Sequence, residues 1–113
     1  MDIKKLGLVV IPFILSACSN HSDNTIYYWG NYDDVVYSYY NGNENYDEQS
    51  NMLMNIITQA KAKNKQVAPG VYGQLGLVKI KQGQLAQARE AFQQEQLLYP
   101  ESTRFMQFLQ KLK

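Results

Sequence analysis

Two side chains that build most covalent frameworks and catalytic sites are nearly missing: among 113 residues there is one cysteine, Cys18, and one histidine, His21. One thiol excludes an internal disulfide framework and a thiolate zinc site. His21 stands in the polar run SNHSDNT with no carboxylate partner or second ligand at useful spacing, so it reads as a solvated side chain. An excess of charge of one sign is missing as well. With 11 basic and 10 acidic residues the formal net charge is +1, which leaves no basic stripe for nucleic acid. The apolar run at residues 6–15 is about half the ~20 residues of a membrane-spanning helix, and Pro12 interrupts it. There is no Gly-rich phosphate loop. Asp33 and Asp34 are adjacent, so on a helix they point about 100° apart and cannot form an acid–base pair. Without convergent titratable groups the chain reads as a non-enzyme that needs no cofactor or metal. What it has instead is surface to bury. The 45% hydrophobic and 12% aromatic content, against 19% charged, suits one folded domain and is too apolar for a disordered tail.

Residues 1–17 divide into a cationic start with Lys4 and Lys5, the apolar run, and the small residues Ser16 and Ala17, which is the pattern of a signal peptide. The tetrad Leu15, Ser16, Ala17, Cys18 resembles the lipobox of bacterial lipoproteins, in which the cysteine is acylated and becomes the first mature residue. The resemblance implies a covalent lipid on Cys18, palmitate among its chains. Several chains anchor stably where one, at ~0.8 kcal/mol per buried methylene, binds only marginally. Ser19 rather than Asp follows the cysteine, which in Gram-negative lipoproteins implies the outer membrane, here with the domain facing the periplasm. An ordinary secretory signal with an incidental cysteine, or a buried N-terminal helix with an inert thiol, are the competing explanations. Residues 18–25 then comprise the lipidated cysteine and a flexible tether, leaving a domain at residues 26–113.

From Cys18 onward the charges balance without mixing. Residues 18–60 hold six acids and no base, whereas residues 61–113 hold nine bases and three acids, about −6 and +6. Attraction between the halves inside the fold is the economical expectation; the alternative is a molecule with opposite charge at its two ends. Apolar spacing favours the helical period, with no evident strand pair, and predicts an all-α fold of about five helices. Ile26, Trp29, Tyr32 or Asp33, Val36 and Tyr40 step by three or four along a first helix that Asn41, Gly42 and Asn43 stop. Asn45 and Glu48 have the shape of a capping box ahead of Met52, Leu53, Ile56, Ile57 and Ala60, a second helix ending near Lys63 or Asn64. Pro69 suits the first turn of a third helix that runs to about Lys81, after which Gln82 and Gly83 turn the chain. The fourth carries Leu85, Ala88, Phe92 and Tyr99 until Pro100 ends it. The last places Phe105, Phe108, Leu109 and Leu112 on an i, i+3, i+4, i+7 face.

Residues 69–102 resemble a tetratricopeptide repeat, about 34 residues long, through Tyr72, Leu75, Gly76, Gly83, Ala88, Phe92 and Pro100. The resemblance implies a helical hairpin in which Gly76 and Ala88 allow close approach while Tyr72, Leu75 and Phe92 fill the space between. Lys79 and Glu95 depart from it, replacing an aromatic and a small residue, and are expected to loosen the packing. Residues 103–113 look like a capping helix, with Met106 and Leu109 at the aromatic and leucine positions. Residues 26–68 look like a degenerate first unit, with Trp29 and Tyr32 at those positions, an insertion near residues 40–46, and Asp33 in place of glycine. The chain is also similar, end to end, to a family of short bacterial lipoproteins of unknown function. The likeness rests on Trp29, Gly30 and Tyr32, on Pro69, Gly70, Leu75 and Gly76, and on the Tyr-Pro-Glu-Ser of residues 99–102. Members of that family tend to be encoded beside a lipoprotein similar to the curli secretion channel and another small lipoprotein, which implies a shared envelope complex.

In repeats of this type the first helix of each unit lines a concave groove. That implies Tyr27, Gly30, Asp34 and Tyr37 in the first unit, and Gly70, Gly73, Leu77 and Ile80 in the second, with Lys81 at the edge. Small residues there leave room for a peptide or partner helix, and the rings offer contacts; packing against the tether or the insertion is the alternative use of the same positions. The expected function is therefore that of a protein-interaction or assembly subunit of an outer-membrane-associated complex, its partner another envelope protein, such as a second lipoprotein. Seven tyrosines and Trp29 crowd residues 27–46, which suits a protein contact or, as the runner-up, stacking on peptidoglycan or another glycan; about half should be core. Two units and a cap are near the lower limit for repeat stability, so self-association or a partner would help.

Overall fold

The computed structural model describes residues 26–111. The signal-like residues 1–17, the expected lipidation site Cys18, the expected tether with His21, and Leu112 lie outside the described residues. Helical spacing produces five α-helices: α1 (Tyr32–Tyr40), α2 (Tyr46–Ala62), α3 (Val71–Lys81), α4 (Leu85–Leu98) and α5 (Thr103–Gln110). A 3-10 turn at Pro100–Ser102 joins the last two. The class is all-α, as the spacing predicts.

The first helix starts at Tyr32 rather than Ile26, and the segment before it corrects the expectation that no strand pair exists. Tyr27–Tyr28 (β1) is extended and runs parallel to Gln66–Val67 (β2), with Tyr27 opposite Gln66 and Tyr28 opposite Val67. The Gln66 N–H donates to the Ile26 carbonyl at 3.0 Å. Two residues are too few to show any period, so tertiary pairing alone decides their conformation. β1 and β2 thereby tie the entry of α1 to the exit of α2.

Capping explains where α2 begins. The Asn45 side chain accepts the Glu48 backbone N–H at 3.2 Å and donates to the Glu48 carboxylate at 3.2 Å, so one arm of the expected box forms, while the Asn45 backbone N–H donates instead to the Asn43 side chain at 2.8 Å. The apolar stripe that follows is buried at Leu53, Ile56, Ile57 and Ala60 and half-buried at Met52. These side chains meet Val35 of α1, Val67 and Ala68 after α2, and Val71, Leu75 and Val78 of α3 in one cluster.

The α3–α4 hairpin is closed by a ring against backbone. A β-carbon on Gly76 would collide with the Phe92 ring, so glycine is what lets the two helices approach. Phe92 then continues into a second cluster with Ala88, Met106 and Leu109, and Leu77 and Ile80 pack half-buried against it. α5 therefore covers the second hairpin with Met106 and Leu109 and turns Phe105 and Phe108 to solvent. This corrects the face drawn through Phe105 and Phe108: the buried pair is the one that the repeat register implies.

Lys79 and Glu95 do not loosen the hairpin. Lys79 is buried along its stem and donates from Nζ to the Gln84 side chain at 3.2 Å. Glu95, 2% exposed, reaches from α4 to the start of α3, where its carboxylate accepts the N–H groups of Gly70 at 2.8 Å and Gly73 at 3.1 Å. Two otherwise orphaned donors and the positive end of a helix make that buried charge stabilising.

Successive helices pack in chain order, α1 on α2, α2 on α3, α3 on α4 and α4 on α5. The acids of α1 and the bases of α5 thus lie at opposite ends of the stack, although Lys61 on α2 and Lys63 over the Tyr28 ring stay near the acidic end, and Asp33, Asp34, Arg104 and Lys111 form no ion pair within the described residues. The expectation that the halves neutralise one another internally is corrected accordingly.

Candidate functional site

The positions implied for a concave groove separate into three environments. On α1, Asp34 is exposed and Tyr37 is 69% exposed, held outward because Val35 and Tyr39 turn the opposite face inward. At the start of α3, Gly70 and Gly73 are occupied from within the chain. Gly70 takes φ +98° as the N-cap, and a β-carbon there would lie 2.8 Å from the Tyr32 hydroxyl. Gly73 is buried, with Met106 Cε 3.2 Å from where its β-carbon would stand. Neither glycine is open groove, because Tyr32 fills the space at Gly70, and Met106 and Glu95 fill it at Gly73. Along the rest of α3, Leu77 and Ile80 keep an exposed edge and Lys81 is fully outward.

Tyr27 and Gly30 precede α1 instead of lying on it. Tyr27 packs edge-on against Trp29, with ring centres 6.2 Å apart, and against Tyr99 at 6.3 Å. More of the tyrosine-rich segment packs inward than the half expected: Tyr27, Tyr28, Tyr32, Tyr39 and Tyr46 lie half-buried on the core, whereas Tyr37 and Tyr40 face solvent.

Several inward phenols gather around Glu95, an arrangement that residue spacing did not indicate. Burial raises the pKa of Tyr32 and Tyr72 above 10, and the Glu95 charge raises each further. Tyr99 is pushed up to about 12, first by burial, then by Tyr27 and Glu95, a hydrogen bond with Tyr27, and Glu101. Its hydroxyl donates to the Val67 carbonyl at 2.6 Å, which also favours the neutral form. Chemically this is a set of protonated donors around a carboxylate that already accepts two backbone bonds. It builds structure; it does not expose an acid beside a base.

The outward features are more suggestive. A pocket of about 190 Å³ opens between α3, α4 and α5, lined by Ile80, Leu85, Ala88, Arg89, Phe92 and Gln110. Ile80 is the one groove position it uses. On α5, Phe105 and Phe108 are 58% and 54% exposed and lie stacked, ring centres 6.4 Å apart. Leu97 on α4 is exposed as well. Among the described residues no group of three or more His, Cys, Asp or Glu is placed to hold a metal ion, and no helix is long and apolar enough to cross a membrane.

Comparison with known families places residues 26–109 in a single match. The chain belongs to the DUF4810 family, described as a domain of unknown function. No curated protein and no solved structure matches it.

Proposed function

We propose that this chain is a tetratricopeptide-like lipoprotein of the Gram-negative cell envelope, held through a lipid on Cys18 at the periplasmic face of the outer membrane, and that it works there as a protein-interaction subunit. The candidate partner is another envelope lipoprotein, of the kind that resembles the curli secretion channel. One observation carries the reading: Tyr37 and Tyr40 on α1, and Phe105 and Phe108 on α5, are presented to solvent on helices. Large rings held outward give contact area at low entropic cost, which suits docking to a protein. Asp34, exposed on α1 with Tyr37, adds a charged group to that contact, and Lys81 offers an exposed charge at the end of α3.

The test is affinity purification of the full-length chain from its native envelope after mild crosslinking. A second envelope protein should co-purify in near-stoichiometric amount and be lost on Tyr37→Ala, an exposed substitution that leaves the core intact. Leu77→Asp is the poorer probe, because Leu77 packs on the Phe92 cluster. Cys18→Ala should release the chain from membranes and abolish palmitate labelling; retention of either would sink the anchor. The exposed rings of Trp29, Tyr37 and Tyr40 support a second reading, in which they stack on sugar rings. Co-purification of murein fragments without a protein would favour it.

A further inference from the structure

The two helices that end the stack carry matching outward faces of opposite charge. On α1, Asp33, Tyr37 and Tyr40 follow i, i+4, i+7 spacing and are all exposed, with Asp34 alongside. At the other end, Arg104, Phe108 and Lys111 follow the same spacing and are all exposed, with Phe105 stacked on Phe108. One face is acid with phenol rings; the other is base with phenyl rings. None of the four charges has an ion pair within the described residues. The ends of a helical stack ordinarily have a polar outer face, because nothing further covers them. Here both ends keep aromatic surface that water does not favour.

We propose that the chain associates head to tail with a second copy of itself, α5 of one copy against α1 of the next. Arg104 and Lys111 then face Asp33 and Asp34, and the phenyl pair packs on Tyr37 and Tyr40. The second copy is the occupant because the charge complementarity lies within this one sequence, and because a following α1 continues the order in which α1 to α5 already stack. Such a contact is heterologous: each copy keeps one free head and one free tail, so copies build a ring or an open chain, all oriented alike. Copies oriented alike are compatible with anchorage in one membrane. The proposal deepens the interaction-subunit reading by naming one partner.

The test uses the full-length chain in mild detergent, with mass followed by sedimentation velocity over a concentration series at low and high salt. Mass should grow with concentration and shrink with salt, since the contact charges are exposed. Arg104→Glu with Lys111→Glu spoils the tail, and Asp33→Lys with Asp34→Lys spoils the head. Each pair should lower the association constant at least about ten-fold while circular dichroism stays unchanged. An equal mixture of the two variants restores association, since the reversed tail now fits the reversed head and the untouched ends still fit each other. All four substitutions in one chain should restore it too. A monomer at every concentration overturns the proposal, as does association that ignores either pair or fails to return on mixing. Co-purification of a different envelope protein with a monomeric chain would defeat this inference alone and leave the interaction-subunit reading standing.

Discussion

Between α3 and α4 the helices meet ring on backbone, Phe92 against Gly76, and Glu95 crosses the hairpin to hold the N–H groups of Gly70 and Gly73. Between α1 and α2 the contact is of a different kind. α1 buries Val35 completely and shields part of Tyr32, Val36 and Tyr39, while Tyr39 and Tyr46 meet at a tilt with ring centres 6.3 Å apart. One hairpin is closed by close approach and a buried charge, the other by half-buried rings that leave their neighbours outside. Local stability follows buried apolar contact, so α2 and the second hairpin anchor the fold and α1 is a surface mounted on α2.

Gly76→Ala should break the comparison most severely. The new methyl must displace the Phe92 ring or part the helices, an overpacking cost of about 3 kcal/mol. Urea unfolding measures it, and a loss below about 1 kcal/mol would mean that the ring moves aside freely and the hairpin is not closed by close approach. Gly42→Ala gives the contrast, since a β-carbon there meets nothing within 4 Å and its cost is the strain of φ +85° alone.

Glu95→Ala comes next, at about 2 kcal/mol, because it strands the Gly70 and Gly73 donors at the start of α3. Glu95→Gln should cost less, since one acceptor oxygen survives. Equal losses for the two variants would show that Glu95 contributes by packing and not as an internal cap. On the other side of the comparison, Val35→Ala removes the one fully buried contact of α1 for about 1.5 kcal/mol. Amide exchange by mass spectrometry should then show α1 opening well before α3. Simultaneous exchange of both helices would erase the division between anchor and mounted surface.

How much of this was legible in the sequence differs between the same two regions. The stripe from Leu53 to Ala60 and the pairing of Gly76 with Phe92 could be anticipated, because helical period and small-residue spacing are local facts that tertiary structure kept. The two strands could not, because Tyr27 and Tyr28 owe their conformation to Gln66 and Val67, far along the chain. Glu95 misled because spacing locates a residue on a helix but not how far its side chain reaches. Tyr37, expected on a groove, faces solvent on α1, whereas Gly73 is not the open space expected of it, because nothing local announces that Met106 arrives to fill it. Phe105 and Phe108 satisfy an amphipathic pattern as well as Met106 and Leu109 do, and only the seat offered by Phe92 decides which pair turns inward.

Tyr99 joins the two regions and gives the smallest effect. Its hydroxyl donates to the Val67 carbonyl at 2.6 Å and its ring meets Tyr27, so it ties the end of the second hairpin to the strand pair of the first. Tyr99→Phe should cost about 1 kcal/mol at neutral pH, the usual worth of one such hydrogen bond. Its pH signature is more specific. The folded-state pKa is raised from 10.0 to about 12, so the contribution is fully present below pH 10 and is lost as pH rises from 10 to 12. In that window the unfolded chain has released the phenolic proton and the folded chain has not, so stability falls with rising pH. Denaturant unfolding across about pH 8 to pH 12 should show that fall in the wild-type chain and a shallower one in Tyr99→Phe. Tyr32, Tyr39 and Tyr72, also raised, keep part of the slope. An unchanged slope in Tyr99→Phe would mean that those three phenols carry the titration and that Tyr99 does not couple the strand pair to the second hairpin.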